Sequence, residues 1–241
     1  GDPKTRVHLV CGFLGVGKTT TLRHVLDQRP ASERWAVLVN EFGEIGIDGA
    51  LLDQGPGADG IAVKELPNGC ICCSAGLMLR QAALRLLRDH RPHRLFIEPT
   101  GLASPATVVD LFRSPGFADR VALGPVITLV DPAHWHSPRH RQHDPWLDQI
   151  EVADVLLASR TDLAPPEQTQ GFLRDARALF PPKAHVGVVD HGRLDLALLD
   201  LPPRAQPAPV AELRIVGYRE QDEPGLILDH VAQAARRLRD D

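Results

Sequence analysis

Short apolar runs alternate with amphipathic stretches along most of this chain. The runs predict buried strands at 6–11, 35–40, 61–66, 94–98, 121–131, 155–159 and 185–189. Apolar residues at helical spacing predict helices at 17–28, 75–90, 105–113, 144–154 and 165–179. Strands that alternate with helices in this way indicate an α/β fold, with a mostly parallel sheet and helices on both faces.

The pattern changes near residue 200, where a proline-rich linker begins at 201–209. We therefore expect one domain over 1–200 and a short C-terminal segment over 201–241. A strand at 211–218 and a helix at 225–240 are predicted in that segment. So few residues cannot build a core of their own, so we expect them to pack on the main domain or on a partner.

The amino-acid composition of the chain argues against several classes of protein. Hydrophobic residues make up 43% and charged residues 24%, and the formal net charge is −4, which argues against a strongly basic nucleic-acid binder. No apolar run approaches the roughly 20 residues of a membrane span, and the first residues show no apolar stretch of signal-peptide length. Four cysteines are too few for a disulfide scaffold, and three of them lie within four positions. We expect a cytoplasmic protein that binds neither nucleic acid nor membrane.

The segment Gly12-Phe13-Leu14-Gly15-Val16-Gly17-Lys18-Thr19 fits the phosphate-loop pattern G-x-x-x-x-G-K-[ST]. A chance glycine-rich turn is the alternative, but the predicted strand before it and helix after it favour the phosphate loop. Lys18 is expected to reach the β- and γ-phosphates, and the Thr19 hydroxyl to meet Mg²⁺. The residues expected to hold the nucleotide here are Gly12, Gly15, Val16, Gly17, Lys18, Thr19 and Thr20, the last at the start of the helix.

An acidic residue follows the apolar strand that ends at Ile97. Glu98 is expected at the carboxyl end of that strand, facing the phosphates, where it can order a water on Mg²⁺ or the attacking water. Gly101 can give a backbone N–H to the γ-phosphate. A solvent-facing acid at a strand end is the alternative reading of Glu98.

The glycine-rich stretch 41–60 is a candidate switch loop, ordered by γ-phosphate and Mg²⁺. Within it, Glu41 is a candidate metal ligand, although solvated acids are common in loops.

Cys70, Cys72 and Cys73 lie in a predicted turn between a strand and a helix. A helix N-terminus lowers the pKa of nearby thiols, and three thiolates suit Zn²⁺ or Co²⁺. Three sulfurs leave one position open, which suits a metal that is exchanged. Three small buried residues without a metal are the alternative. Cys11, which ends an apolar strand, is expected to be a core residue.

Ser159-Arg160-Thr161-Asp162 follows an apolar strand, at the place where many GTPases carry N-K-x-D. Asp162 can accept hydrogen bonds from guanine, and Arg160 can lie over the base. Ser159 cannot reproduce the paired donor and acceptor of an asparagine amide. The segment therefore predicts a guanine preference that is weaker than usual.

Four histidines, His134, His136, His140 and His143, fall within ten residues that also contain arginine and proline. We expect a solvated loop there, with weak auxiliary metal binding as the alternative.

Together these motifs resemble the CobW family of P-loop GTPases. The resemblance rests on six stretches between residue 6 and about 200: GFLGVGKTT, VNEFGEIGIDG, GCICC, IEPTGLASP, LVD and QIEVADVLLASRTDL. It implies a P-loop fold and GTP hydrolysis coupled to binding and delivery of a transition metal, Zn²⁺ or Co²⁺, to a client metalloprotein. It also implies that Cys70, Cys72 and Cys73 are the family's metal-binding cysteines, and it allows a nucleotide- or metal-dependent homodimer.

Two other functions compete with a metal-delivering GTPase. One is a non-catalytic metal buffer or sensor whose metal affinity depends on GTP. The other is a P-loop kinase, for which the sequence offers no acceptor pocket and which leaves the cysteines unexplained.

Overall fold

The computed structural model describes residues 3–39, 60–65, 75–99 and 104–203. The strands of this part are β1 (Thr5–Gly12), β2 (Trp35–Val39), β3 (Ile61–Glu65), β4 (Arg94–Ile97), β5 (Val121–Val130), β6 (Val155–Ala158) and β7 (His185–Val188). The helices are α1 (Lys18–Asp27), α2 (Ala75–His90), α3 (Pro105–Arg113), α4 (Pro138–Arg141), α5 (Asp144–Val152) and α6 (Pro166–Arg177). Short 3₁₀ turns span Pro132–His134 and Leu196–Asp200.

These strands form one sheet in the order β3-β2-β4-β1-β5-β6-β7, and every pair of neighbours in it is parallel. The predicted α/β fold is therefore confirmed. β1 lies in the middle, with Leu9 opposite Ile97 of β4 on one side and opposite Val126 of β5 on the other. All strands end at the same edge, called the carboxyl edge below, and begin at the amino edge.

Helices cover both faces of the sheet, as the alternation of elements predicted. On one face, Leu22 and Val25 of α1 pack with Leu199 of the chain after β7. On the other face, α2 and α3 bury residues such as Ala83 and Phe112. These apolar side chains hold β1 rigidly between two layers, which fixes the loop that follows it.

A third cluster of buried residues lies beside β6. Trp135 contacts Trp146 of α5 and Phe172 of α6, with ring centroids 5.7 and 5.0 Å apart. This cluster anchors the segment between β5 and β6 against the sheet. None of the helices within the described ranges has the length and hydrophobicity that a membrane crossing requires.

Candidate functional site

The loop from β1 to α1 has the backbone that a phosphate cradle requires. Gly15 and Gly17 have φ angles of 76° and 91°, which residues with a side chain rarely adopt. Gly12, with φ 149°, passes so close to β5 that a Cβ atom there would lie 2.8 Å from the carbonyl oxygen of Leu129 and 2.6 Å from the Cγ2 atom of Val16. The side chain of Val16 is buried beneath the loop and holds the loop in place. Gly12, Gly15, Val16 and Gly17, all predicted to bind the nucleotide, therefore determine the shape of this loop.

The start of α1 faces this cradle. Gly17 occupies the N-cap position and offers no side chain to the first backbone N–H groups of the helix. Those groups and the positive end of the helix dipole form an anion site. Lys18 is 9% exposed, and its Nζ donates a hydrogen bond to the carbonyl oxygen of Phe13 over 3.2 Å. The ammonium group is thus held against the loop, and Thr20 is exposed beside it.

Glu98 directly follows β4, as predicted, and meets the first turn of α1. The hydroxyl of Thr19 donates a hydrogen bond to Oε1 of Glu98 over 2.9 Å. The backbone N–H of Glu98 donates to the carbonyl oxygen of Leu38 over 2.9 Å, which fixes the residue at the carboxyl edge. Glu98 is 8% exposed, so the reading of a solvent-facing acid is wrong.

The residues around this cradle fit a nucleotide with Mg²⁺. A hydroxyl and a carboxylate that already touch are hard oxygen donors of the kind Mg²⁺ prefers. The glycine turn has no Cβ at Gly12 to collide with β5, and its tight curve is the backbone form that phosphate loops use. Lys18 supplies the positive charge. Together these groups can bind a triphosphate, neutralise its charge and hold a water near its terminal phosphate.

The segment after β6 lies next to the same loop. Nη1 of Arg160 donates a hydrogen bond to the carbonyl oxygen of Gly15 over 2.8 Å, so the guanidinium holds the loop. Arg160 has a φ of 54°, which turns the chain sharply there. Ser159 is buried, with its hydroxyl 3.4 Å from the carbonyl oxygen of Val130, while Asp162 is exposed. Of the three predicted residues of this segment, Arg160 and Asp162 are exposed and can meet a base.

Asp131 is a site residue that sequence reasoning passed over. It directly follows β5 and is 9% exposed. Its Oδ1 accepts a hydrogen bond from the N–H of Ala133 over 2.9 Å, and its Oδ2 lies 4.0 Å from Nε of Arg160. The signal that could have found it is the one that found Glu98, an acid directly after an apolar strand.

The expectation of a solvated loop over the histidine tract is wrong in part. Pro132–His134 and Pro138–Arg141 form short helical turns. The rings of His134 and His140 stack with centroids 4.0 Å apart, and His140 also lies edge-on to Phe13 at 5.5 Å. Burial lowers the pKa of His140, and the neighbouring His134 and Arg139 lower it further. Through these aromatic contacts, the histidine tract packs against the phosphate loop.

The remaining predicted residues lie outside the described residues. They are Glu41, Cys70, Cys72, Cys73 and Gly101. Within the described ranges, no group of three or more histidine, cysteine or acidic side chains is placed to hold a metal, the histidine tract included. Cys11 is 1% exposed, and burial raises the pKa of its thiol, so its assignment to the core is confirmed.

Comparison with known protein families finds one match along most of the chain. The model described as the CobW/HypB/UreG nucleotide-binding domain matches residues 6–186. This range contains the phosphate loop, Glu98, the cysteine triplet and Asp162. The match confirms the resemblance that the sequence motifs indicated.

Two curated bacterial proteins show clear similarity. The zinc chaperone YeiR of Escherichia coli strain K12 is 40% identical over 200 residues, which are 83% of this chain and 60% of that protein. The zinc chaperone YjiA of the same strain is 38% identical over 199 residues, or 80% of this chain and 60% of that protein. The chain thus spans about 60% of the length of these relatives.

Solved structures share the fold described above. The crystal structure of the Zn(II)-bound YjiA GTPase from E. coli aligns with a TM-score of 0.58 and 32% identity, covering 81% of this chain and 61% of that one. The nickel complex of HypB from Helicobacter pylori aligns with a TM-score of 0.50 and 16% identity, covering 82% and 83%. The second likeness shows the fold alone.

Proposed function

Since the chain belongs to the CobW/HypB/UreG nucleotide-binding domain family, we propose that it hydrolyses GTP with Mg²⁺ and couples hydrolysis to the binding and delivery of a transition metal. Zinc is the proposed cargo, with Co²⁺ as the alternative metal. The client is a metalloprotein that receives this ion.

One observation carries the catalytic half of the proposal. Thr19 and Glu98 come from distant parts of the sequence, yet their side chains meet over 2.9 Å beside the phosphate cradle. A carboxylate and a hydroxyl held together beside this loop are suited to binding Mg²⁺ and ordering a water next to a terminal phosphate.

Several residues of this chain have separate roles in the proposed hydrolysis. Lys18 and the N-terminus of α1 bind the β- and γ-phosphates and stabilise the negative charge that develops there. Glu98 orients a water, either one bound to the metal or the attacking one. Arg160 keeps Gly15 and its loop in position through the hydrogen bond to the Gly15 carbonyl oxygen. Mg²⁺, which Thr19 would hold, would supply further positive charge to the phosphates when bound.

Guanine selection is assigned to Asp162. Its exposed carboxylate can accept from two N–H groups of guanine, which adenine does not offer in the same arrangement. The hydroxyl of Ser159 lies against the Val130 carbonyl oxygen, so it adds no contact to the base. The selectivity for GTP over ATP then rests on one side chain, which supports the weakened preference that the sequence predicted.

The metal half of the proposal rests on the sequence pattern and on the relatives. Cys70, Cys72 and Cys73 are the proposed zinc ligands, and Glu41 is the proposed oxygen ligand in the GTP state. Proteins that resemble this chain carry the names zinc chaperone and zinc-regulated GTPase metalloprotein activator. The boundary near residue 200 and a nucleotide- or metal-dependent homodimer remain predictions.

A metal titration at two nucleotide states tests the coupling. Zn²⁺ and Co²⁺ are titrated into the protein with Mg²⁺ and either GDP or a non-hydrolysable GTP analogue. We expect one tight ion per chain and an affinity about 5- to 150-fold higher with the analogue. Cys72→Ser should weaken binding in both states. Cys11→Ala removes a thiol of the core instead and should leave the stoichiometry unchanged.

Hydrolysis measured in the same samples separates the competing functions. Turnover of GTP with Mg²⁺ supports the metal-delivering GTPase. Nucleotide-dependent metal affinity without turnover would instead identify a buffer or sensor. Equal metal affinity with GDP and analogue would reject coupling and leave a metal site on a P-loop fold.

A further inference from the structure

A wide groove opens at the amino edge of the sheet, at the opposite end of the strands from the phosphate loop. It has a volume of about 770 Å³ and is formed where β1, β4 and β5 begin and α2 ends. We call it the basic groove, and its cationic lining includes Lys4, Arg34, Arg88, Arg91, Arg94 and Arg120. Nothing in the proposed nucleotide or metal chemistry uses these residues.

The groove has an excess of positive charge. Among its described lining residues are seven lysines and arginines and the two carboxylates of Glu33 and Asp119. Two neighbouring carboxylates, Asp89 and Asp200, pair with cations of the groove, which leaves an excess of three positive charges. A second hollow on the outer side of α2 shares Arg88 and adds Lys64 and Arg85, against Asp89. The whole chain carries a net charge of −4, so this concentration of cations on one surface is not a reflection of its composition. A surface of this kind attracts anionic partners through its local field.

Some cations of the groove are held in place by backbone carbonyl oxygens and others by carboxylates. Arg34 donates to the carbonyl oxygen of Arg91 over 2.8 Å, and Lys4 donates to that of Ala118 over 2.7 Å. A carbonyl oxygen orients a cation without cancelling its charge. Arg94, whose side chain is 15% exposed, is fixed by Glu33 at 3.3 Å and by Asp200 at 2.9 Å. The groove is thus ordered before any partner arrives, which lowers the cost of binding.

We propose that the basic groove is a docking surface for an acidic peptide segment of a partner protein. Guanidinium groups pair with carboxylates through two parallel hydrogen bonds, and arginines dominate this lining. Leu87 and Pro92 give the groove an apolar floor for the methylene groups of such a segment. Glu33 and Asp119 can accept from its backbone N–H groups.

Nucleic acid fits the same groove less well. A phosphate backbone presents dense negative charge, and Glu33 and Asp119 interrupt the cationic lining. No phenylalanine, tyrosine or tryptophan stands among the lining residues that the structure describes, so these residues offer a single strand no aromatic stacking platform.

The basic groove lies far from the phosphate loop. β1 runs from the groove to the phosphate loop and has eight residues. At about 3.3 Å per residue, the two sites lie roughly 25 Å apart. A partner held in the basic groove therefore leaves the phosphate loop open to nucleotide. Peptide docking in the basic groove requires neither hydrolysis nor metal binding.

Fluorescence anisotropy with a labelled ten-residue peptide rich in glutamate and aspartate tests the proposal. We expect saturable binding that weakens at least tenfold between 50 and 300 mM salt. The double variant Arg88→Glu/Arg120→Glu should weaken binding at least tenfold. The matched control Arg174→Glu/Arg177→Glu reverses two exposed arginines on α6 and should bind as the unmodified protein does. GTP hydrolysis should be unchanged in both variants.

Two results would overturn the proposal. The first is equal loss of peptide binding in the groove and control variants, or no binding at all, since either shows that the groove does not select the peptide. The second is tighter binding of a labelled ten-thymidine strand that the groove variant abolishes, which would assign the groove to nucleic acid. The neutral pair Arg88→Gln/Arg120→Gln, checked by its melting temperature, serves if the charge reversal fails to fold.

Discussion

The hydroxyl of Thr19 lies 2.9 Å from a carboxylate oxygen of Glu98, and this hydrogen bond joins the first turn of α1 to the end of β4. The strand order makes it possible, because β4 is hydrogen-bonded directly to β1. The pair places a charge and a hydroxyl at one point beside the cradle. Its two members can be altered separately, which makes the catalytic proposal accessible to experiment.

Glu98→Gln removes the charge but keeps an oxygen that can accept from Thr19. We expect the fold to be retained and Mg²⁺-dependent GTP hydrolysis to fall about 10²- to 10³-fold, as when one preorganised electrostatic group is lost. Asp27→Asn, an exposed acid at the end of α1, is the control and should hydrolyse GTP normally. Normal turnover by Glu98→Gln would show that the carboxylate has a structural role alone.

Lys18→Ala removes the ammonium group held against the phosphate loop. We expect loss of GTP hydrolysis by two orders of magnitude or more, because a charge-assisted contact to phosphate disappears. Arg23→Ala takes an exposed cation from the same helix and should leave the rate unchanged. Steady-state phosphate release in a phosphatase-free preparation measures both. An active Lys18→Ala protein would rule out a phosphate-binding role for this lysine.

Gly12→Ala introduces a methyl group where β1 passes β5. Its Cβ atom would lie 2.8 Å from the Leu129 carbonyl oxygen, in a backbone conformation that alanine adopts at a cost. We expect a loss of about 1–3 kcal/mol in the free energy of unfolding, together with weaker nucleotide binding. Gly171→Ala in α6 is the control, since its nearest neighbour would be 3.5 Å away, and it should match or exceed the original stability. Unfolding in urea compares them.

His8 makes stability depend on pH in a defined direction. Burial, together with the nearby charges of Arg94 and Arg6, lowers the pKa of His8 to about 3, so the folded protein keeps this histidine neutral. The unfolded chain takes up a proton near pH 6.5. Stability is therefore fully present above pH 6.5 and falls as the pH drops toward 3, by about 1.4 kcal/mol per unit from this group.

The variant His8→Gln isolates that contribution. Its free energy of unfolding should decline less steeply between pH 6.5 and 5 than that of the unmodified protein. Denaturant unfolding at several pH values gives the two slopes. Identical slopes would mean that His8 is protonated in the folded state or is reached by water.

Asp162→Ala tests base selection. We expect GTP to bind about 5- to 150-fold more weakly, the equivalent of roughly 1–3 kcal/mol for a lost paired contact, and ATP to be little affected. Glu167→Ala, an exposed acid on α6, should change neither affinity. Competition of each nucleotide against a labelled GTP analogue measures the ratio. Unchanged discrimination would mean that Asp162 does not face the base.

The sequence alone was sufficient to predict the positions of residues that belong to one local pattern. The glycine spacing between β1 and α1 placed Lys18 correctly, and the apolar run before Glu98 placed that acid at the carboxyl edge. The contact between Glu98 and Thr19 could not be predicted in the same way, because it depends on β4 being the neighbour of β1. Strand order is set by packing across the whole sheet, and no single segment contains it.

Short and scattered features escaped prediction for a different reason. The helix Pro138–Arg141 has four residues, too few for a periodic pattern, so the stacking of His134 on His140 had no signal. Three arginines of the basic groove lie in one basic stretch, 88–94, but only the fold brings the other four cations beside them. Asp131 did have a signal, since it directly follows an apolar strand.

The central position of β1 also bears on the order of events during folding. Its neighbours in the sheet are β4 and β5, with Arg6 paired to Arg94 and Thr5 to Val121, so neither neighbour is close to it in the chain. Contacts of such high sequence separation form slowly, because long loops must close first. The turn at Gly12 packs against Leu129 only after β5 has docked beside β1. Nucleotide that binds this turn consequently binds molecules in which β5 has docked, and it stabilises them by mass action.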